Sequence, residues 1–396
     1  MAPGETRGGS AASPGRRVAV VFHEPELGGA TRAVLRLIPT LADRGWEFCF
    51  WVPRPSALHD HLAAEGYDVA GAPRHVQYSV AAWRLPPGPL ARARSIPPYL
   101  RSFRRFVRER GPALVHANTI MSVAEALVAP PGPAVMLYVE EMLPGGVRGE
   151  LFRRAVRRLD AVAAISESSA APVRLPGRRP HIVYGSTPMP AEAAEIRAEP
   201  RPFKVGTVGV VSRRKGSDVF VEAARRLLAQ AGAYSFEMVG APNDALERDW
   251  ARSILAQARS IGVRHIPQAD VFERHREWDA FVLPSRAEPF GLAILEAMAS
   301  GLPVIGARRD GIAEIVDACG VLVDPEPEAL AREISSLRSR PREEREAMGR
   351  AARERAGAKF SRESQAIAME EAYLAALARR RGGRGEGEGS RGSSAP

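Results

Sequence analysis

Lysine is almost missing from this chain: among 56 basic residues only Lys204, Lys215 and Lys359 are lysine, the rest being arginine. Such a skew is what genomic base composition can impose. The net charge of +10 therefore does not by itself choose between nucleic acid, anionic lipid and phosphorylated small molecules as partner. Cysteine is as scarce, with Cys49 and Cys319 in or beside apolar runs and no C-x-x-C or metal-ligand spacing. That excludes a disulfide framework and a cysteine metal site, and both residues read as buried thiols in a reducing, cytoplasmic compartment. Aromatic residues make up 6% of the chain, too few for a base-stacking platform, and no nucleic-acid-reading module is recognisable, so nucleic acid is not an expected partner. Long apolar runs are absent as well. The longest, Ala126 to Val139, is broken by Pro130, Pro131 and Pro133 and ends at Glu140, and the first sixteen residues lack the apolar core of a secretory signal, so neither export nor a membrane span is expected.

What is present is enough apolar material, 45% of 396 residues, for two α/β domains of ordinary size. Arg17 to Phe22 is a β-branched run followed by Gly28-Gly29, after which Val34, Leu35, Ile38 and Leu41 recur at helical spacing, the pattern of strand, glycine loop and helix. Further apolar runs at Phe48 to Val52, Ala113 to Val115 and Ala134 to Val139 alternate with helical segments, which predicts a parallel sheet covered on both faces. A polar Ala/Glu/Pro-rich stretch, Ser186 to Pro202, reads as a linker. Beyond it the same alternation restarts, with strands expected at Phe203 to Val211, Tyr234 to Val239, Val263 to Ile266, Ala280 to Leu283 and Pro303 to Ile305. The expected organisation is a disordered tail over 1–16, domains over 17–200 and 201–360, a terminal helix over 361–380 packing back on the first domain, and a disordered tail over 381–396. The segment 92–110 carries seven arginines interleaved with Leu100, Phe103, Phe106 and Val107. It fits either an ordinary helix with a solvated face or peripheral docking on an anionic membrane, which would lie at the inner face.

The most informative stretch begins at the end of an expected strand: Pro284-Ser-Arg-Ala-Glu288-Pro-Phe290-Gly291-Leu292, then Glu296 and Gly301-Leu-Pro303. Ligands of open α/β sheets bind at such strand ends, and a helix starting near Gly291 would aim free amides at a diphosphate. Glu288 and Glu296 flank that helix start, so one carboxylate can accept from sugar hydroxyls and the other from a ribose diol. A second basic loop, Gly209-Val-Val-Ser-Arg213-Arg214-Lys215-Gly216, also lies between strand and helix.

With Glu288-Pro-Phe-Gly291, the following Glu296-Ala, Gly301-Leu-Pro-Val and Lys215-Gly216 in place, residues 17–378 resemble the retaining GT-B glycosyltransferases of family 4. The resemblance implies an α/β GT-B fold, two Rossmann-like doubly wound domains facing each other across a cleft. It implies transfer of a sugar from a UDP- or GDP-sugar to a carbohydrate, lipid-linked or secondary-metabolite acceptor, with retention and without a metal; no Asp-x-Asp occurs in the chain. It assigns the donor to Gly28, Gly29, Arg213, Arg214, Lys215, Glu288, Phe290, Gly291, Leu292 and Glu296, and catalysis to Lys215, Glu288 and Glu140. His116, Asn118 and Glu141 are candidate sugar or acceptor contacts. The chain departs from the family pattern at Val210, where an arginine is usual, and at Glu140, where a histidine is. These two departures keep open a sugar-nucleotide-binding protein without transfer activity, or a GT-B epimerase or phosphorylase.

Overall fold

The computed structural model describes residues 16–25, 27–72, 89–143, 145–195, 201–230, 232–242 and 247–388. Residues 1–15 of the tail expected over 1–16 and 389–396 of the tail expected over 381–396 lie outside the described residues, as do 196–200 of the linker. In the N-terminal half the apolar runs form strands β1 (Arg17–Val21), β2 (Glu47–Pro53), β3 (Asp68–Ala72), β4 (Leu114–Asn118), β5 (Ala134–Val139), β6 (Ala161–Ala164) and β7 (His181–Ile182). They pair in the order β3-β2-β1-β4-β5-β6-β7, every pair parallel. The C-terminal half holds β8 (Phe203–Val208), β9 (Tyr234–Val239), β10 (Arg264–Ile266), β11 (Ala280–Leu283), β12 (Val304–Ala307) and β13 (Val321–Val323), ordered β10-β9-β8-β11-β12-β13 and again all parallel. Helices cover both faces, so β1, β4, β5, β11 and β12 are buried along nearly their whole length and read as continuous apolar runs rather than as alternation.

Two sheets in one chain need a joint. Tyr184 stacks near Phe290 and meets Phe360 edge-on, with ring centroids 6.0 and 5.4 Å away. Next to this aromatic cluster the Ser166 hydroxyl donates to the Pro289 carbonyl at 2.6 Å, and the amides of Glu167 and Ser168 both donate to the Glu314 carboxylate at 2.9 Å. These bonds fix the two domains along one side and leave the strand ends facing each other across a cleft.

The terminal helix Arg362–Glu388 returns across this joint to the first domain. Trp46 Nε1 donates to Glu370 at 3.0 Å, Arg44 Nε to the same carboxylate at 2.6 Å, and the Trp46 and Tyr373 rings lie 5.1 Å apart. The helix runs eight residues past the boundary expected at 380, through glycine-rich sequence, because extending a helix already anchored by packing needs no new nucleus. The basic segment is helical over Pro89–Arg110, with Tyr99, Phe103, Phe106 and Val107 buried and Arg101, Arg105 and Arg108 exposed. Cys49 is buried, whereas Cys319 is only partly so. Among the described residues no helix is long and apolar enough to cross a membrane.

Glu370 satisfies an indole N–H and a guanidinium at once. Glu370→Ala is therefore expected to destabilise the protein by about 1 to 3 kcal/mol, the cost of leaving the buried Trp46 indole N–H unpaired. Urea titrations of the two proteins measure it.

Candidate active site

Each sheet reverses its winding direction beside its first strand, between β1 and β4 and between β8 and β11. At such a switch point the loops leave in opposite directions and open a crevice at the carboxyl ends of the strands. The two crevices face each other and enclose a cavity of about 710 Å³ lined from both domains.

On the C-terminal wall, the loop after β8 reaches its helix through Gly216, which sits at φ 68°. A Cβ there would stand 2.0 Å from the Pro284 carbonyl oxygen, so glycine is needed both for the backbone angle and for the approach of the two loops. That approach puts Lys215 Nζ 2.5 Å from Glu288 Oε2, with the side chains 16% and 9% exposed. The same oxygen accepts from Ser285 Oγ at 3.3 Å and lies 3.5 Å from Arg214 Nη1. The backbone of Glu288 is fixed too: its amide donates to Asp310 Oδ2 at 3.1 Å, and its carbonyl accepts from the Gly311 amide at 3.1 Å. An ammonium has three donors and Glu288 takes one, so Lys215 can engage an anion in the cavity without releasing its partner. Gly291, at φ 110°, caps the helix Leu292–Ala299, whose first amides have no partner within the helix and open on the same space.

On the N-terminal wall, Gly29, Ala30, Arg32 and Arg36 line the cavity from the helix after β1, and Glu140, Glu141 and Met142 from the loop after β5. Arg32 and Arg36, four residues apart, line the same cavity as Glu296, and Arg36 Nη1 donates to the Ser186 carbonyl at 3.5 Å. Burial pushes the Glu296 carboxyl up, and Arg36, Arg32 and Lys215 oppose that rise. Glu140 is 8% exposed. Burial holds its carboxyl well above the usual range, reinforced by the negative charges of Glu141 and Glu24, while a hydrogen bond from Asn118 pulls the other way. Glu141 is raised to about 7, again chiefly by burial.

Several residues nominated from sequence lie elsewhere. His116 is fully buried, its Nδ1 sharing a 2.8 Å hydrogen bond with the Tyr373 hydroxyl. Burial pushes its imidazole down to about 3, so it is a neutral core residue under the terminal helix and not a cleft ligand. Asn118, on the same face of β4, does not line the cavity and touches it only through Glu140. Arg213 points away: its guanidinium lies 4.8 Å from the Trp250 ring and beside Glu247. Phe290 borders the cavity, but its ring belongs to the aromatic joint. Val210, 45% exposed, contributes an apolar patch of wall where a cation was looked for. Sequence reading missed Arg32 and Arg36. The available signal was their spacing of four, which places two arginines on one helix face directly after the first glycine loop.

Two family models abut and together match residues 27–355: one described as Glycosyltransferase Family 4 over 27–188, the other as Glycosyl transferases group 1 over 189–355. The chain belongs to the group 1 glycosyltransferases. The fold of this glycosyltransferase is GT-B, as in the Anabaena HepE structure in complex with UDP and glucose, which it matches with a TM-score of 0.72 at 18% identity over 89% of this chain and 98% of that one. Curated relatives include a D-inositol 3-phosphate glycosyltransferase of Segniliparus rotundus, 34% identical over 47% of this chain and 43% of the relative. A lipopolysaccharide core biosynthesis mannosyltransferase of Rhizobium leguminosarum is 33% identical over 46% of this chain and 54% of the relative. The chain thus spans about half the length of the curated relatives it matches.

The raised carboxyl of Glu141 makes this glycosyltransferase less stable as pH rises. A folded-state pKa of about 7 against an ordinary 4.5 means that the folded form holds an extra proton between those values, so stability is full below about 4.5 and falls toward pH 7. Glu141→Gln should flatten that fall by no more than about 1.4 kcal/mol per pH unit, the slope of one titrating group. Unfolding free energies at pH 5, 6 and 7 measure it.

Proposed function

We propose that this glycosyltransferase moves a sugar from a nucleoside diphosphate sugar, UDP- or GDP-linked, to a hydroxyl of a carbohydrate, lipid-linked or secondary-metabolite acceptor. The observation that carries the reading is the Lys215–Glu288 pair at 2.5 Å, held where two strand ends and a helix start meet. Lys215 and Arg214, with the amides opening the helix at Leu292, would receive the diphosphate. Glu296, deeper in the cavity and balanced by Arg32 and Arg36, would accept from ribose hydroxyls. Glu288 would accept from hydroxyls of the transferred sugar.

In the reaction the bond between the anomeric carbon and the β-phosphate oxygen breaks, and a bond from that carbon to the acceptor oxygen forms. The acceptor proton passes to the departing nucleoside diphosphate, so the products are a glycoside and the diphosphate. Negative charge grows on the leaving group as the sugar becomes oxocarbenium-like. Fixed cations and amides stabilise that charge more in the transition state than in the ground state, which is where catalysis lies. Arg32 and Arg36 would close the positive set from the opposite domain, where Val210 supplies no charge. We further infer retention of configuration by front-face attack, catalysis without a divalent metal, and a cytoplasmic location.

The test is turnover across a panel of UDP- and GDP-sugars, followed by release of nucleoside diphosphate. One donor should be consumed. Lys215→Ala and Glu288→Ala should each lower kcat/KM by about 10²- to 10³-fold, as loss of one transition-state partner does. If no donor is consumed or bound, or both variants match the parent, the reading fails.

A further inference from the structure

A second group of carboxyls stands at the N-terminal wall, apart from the Lys215–Glu288 pair, with Glu140 and Glu141 lining the cavity. It is built from three neighbouring strand ends: His23 and Glu24 beyond β1, Asn118 and Thr119 at the end of β4, and Glu140 and Glu141 beyond β5. Glu141 Oε2 accepts from the amides of Ile120 and Glu140 at 3.1 and 3.2 Å. Glu24 Oε2 accepts from the Thr31 hydroxyl at 3.3 Å, and its other oxygen lies 3.9 Å from His23 Nε2. The Thr119 hydroxyl, on a residue strained to φ 69°, joins His23 Nδ1 at 2.9 Å. Strain of this kind persists where the surroundings over-determine a conformation and clusters at ligand sites.

Two buried atoms here are unmatched. Glu140, at 8% exposure, lines the cavity, and its Oε1 has no hydrogen-bond partner. Asn118, at 1% exposure, has an unmatched Oδ1. A buried carboxylate oxygen without a donor is costly unless a ligand supplies one. The titratable groups acting on Glu140 are the carboxyls of Glu141 and Glu24, with the Tyr138 hydroxyl on β5 close by. The cavity's own cations act elsewhere, Lys215 and Arg214 at Glu288, Arg36 at the Ser186 carbonyl, and both Arg36 and Arg32 on the charge of Glu296. Among the described residues no group of three or more His, Cys, Asp or Glu side chains has an arrangement that would hold a metal ion.

We infer that this wall is a subsite for a protonated amine on the acceptor, an ammonium received by Glu140 and Glu141, which line the cavity, with the Glu24 carboxyl acting on them. The inference rests on the transferase reading and adds a substrate class to it. A sugar hydroxyl supplies no charge to set against the carboxyl groups gathered on this wall. An ammonium offers three donors and a full positive charge, so it matches both the number of acceptors and their sign. The wall faces the nucleotide-binding loops across the cavity, which places the amine on the acceptor and not on the donor. Burial raises the Glu141 carboxyl to about 7 and shifts that of Glu140 in the same direction, so an ammonium that favours their ionised forms is expected to expel a proton to solvent on binding.

The experiment uses the full chain and the donor found above, or UDP alone for binding. Acceptors come in matched sets: glucosamine, N-acetylglucosamine and glucose, their galacto and manno counterparts, and an inosamine with inositol. In at least one set the free amine should exceed both neutral members by about tenfold in kcat/KM or affinity, the scale of one charge-assisted contact. Calorimetry near pH 7 in buffers of different ionisation enthalpy should show proton release on amine binding. Glu24→Gln and Glu141→Gln should each cut the advantage to about threefold or less, with stabilisation by UDP read on the same variants to show that the fold and donor wall persist. Neutral members equalling the amine in every set, an advantage unmoved in both variants, or an advantage confined to amino-sugar donors would each overturn the inference. Failure of the parent protein to bind any nucleoside diphosphate would instead overturn the transferase reading.

Discussion

The arrangement of the cleft depends on one ion pair. Lys215 and Glu288 come from loops 73 residues apart and meet with little exposure to water. A buried pair of this kind is a poor source of stability, because desolvation of both charges offsets most of their attraction. Its value lies in position. Removing either partner leaves an uncompensated charge, so the loops after β8 and β11 are obliged to stay together. The glycine at 216 and the aspartate at 310 exist in service of that approach, one by lacking a side chain where Pro284 passes and the other by holding the Glu288 amide. The result is a cation that is neutralised at rest and set beside a helix start.

A cleft between two domains is useful only if its walls stay in register. Three structures provide this here: the Tyr184–Phe290–Phe360 aromatic joint, the Glu314 carboxylate taking two amides from the other domain, and the terminal helix strapped to the first domain by Glu370 and Tyr373. Phe290 couples register to chemistry, since it sits two residues from Glu288 and its ring is packed in the joint. The opposite wall then brings Arg32 and Arg36 to the cavity from a different sheet. Charge within the cleft is thus divided, with cations gathered around Glu288 and Glu296 and carboxyl groups at the ends of β1 and β5.

Much of the C-terminal wall was legible in the sequence because its signals are local. Lys215-Gly216 and Glu288 through Gly291 lie in short stretches between an apolar run and a helical pattern, and the glycines mark backbone angles that other residues avoid. The longer apolar strands were legible for the same reason. What escaped depends on distance. His116 looked like a cleft residue because it is near a strand end, yet its face of β4 is covered by a helix 257 residues later in the chain. Arg213 and Arg214 are adjacent in sequence, and only the position of Trp250 decides which of them turns inward. Arg32 and Arg36 could be seen as a pair but not assigned to Glu296 without knowing how the domains face. The short strands β3, β6 and β7 carry too few strongly apolar residues to stand out and β13 is only three residues long, and all four are strands because the neighbouring strand supplies their hydrogen bonds.

The central claim is that Lys215, held by Glu288, receives a diphosphate. The most direct measurement is the affinity of the protein for UDP, UMP and uridine, and for the guanosine series, by calorimetry on the parent and on Lys215→Met. The account predicts that a diphosphate binds at least about tenfold more tightly than its monophosphate, as one added charge-assisted contact provides, and that Lys215→Met removes most of that difference while leaving nucleoside binding unchanged. Equal affinities for diphosphate and monophosphate, or a difference that survives in Lys215→Met, would contradict it.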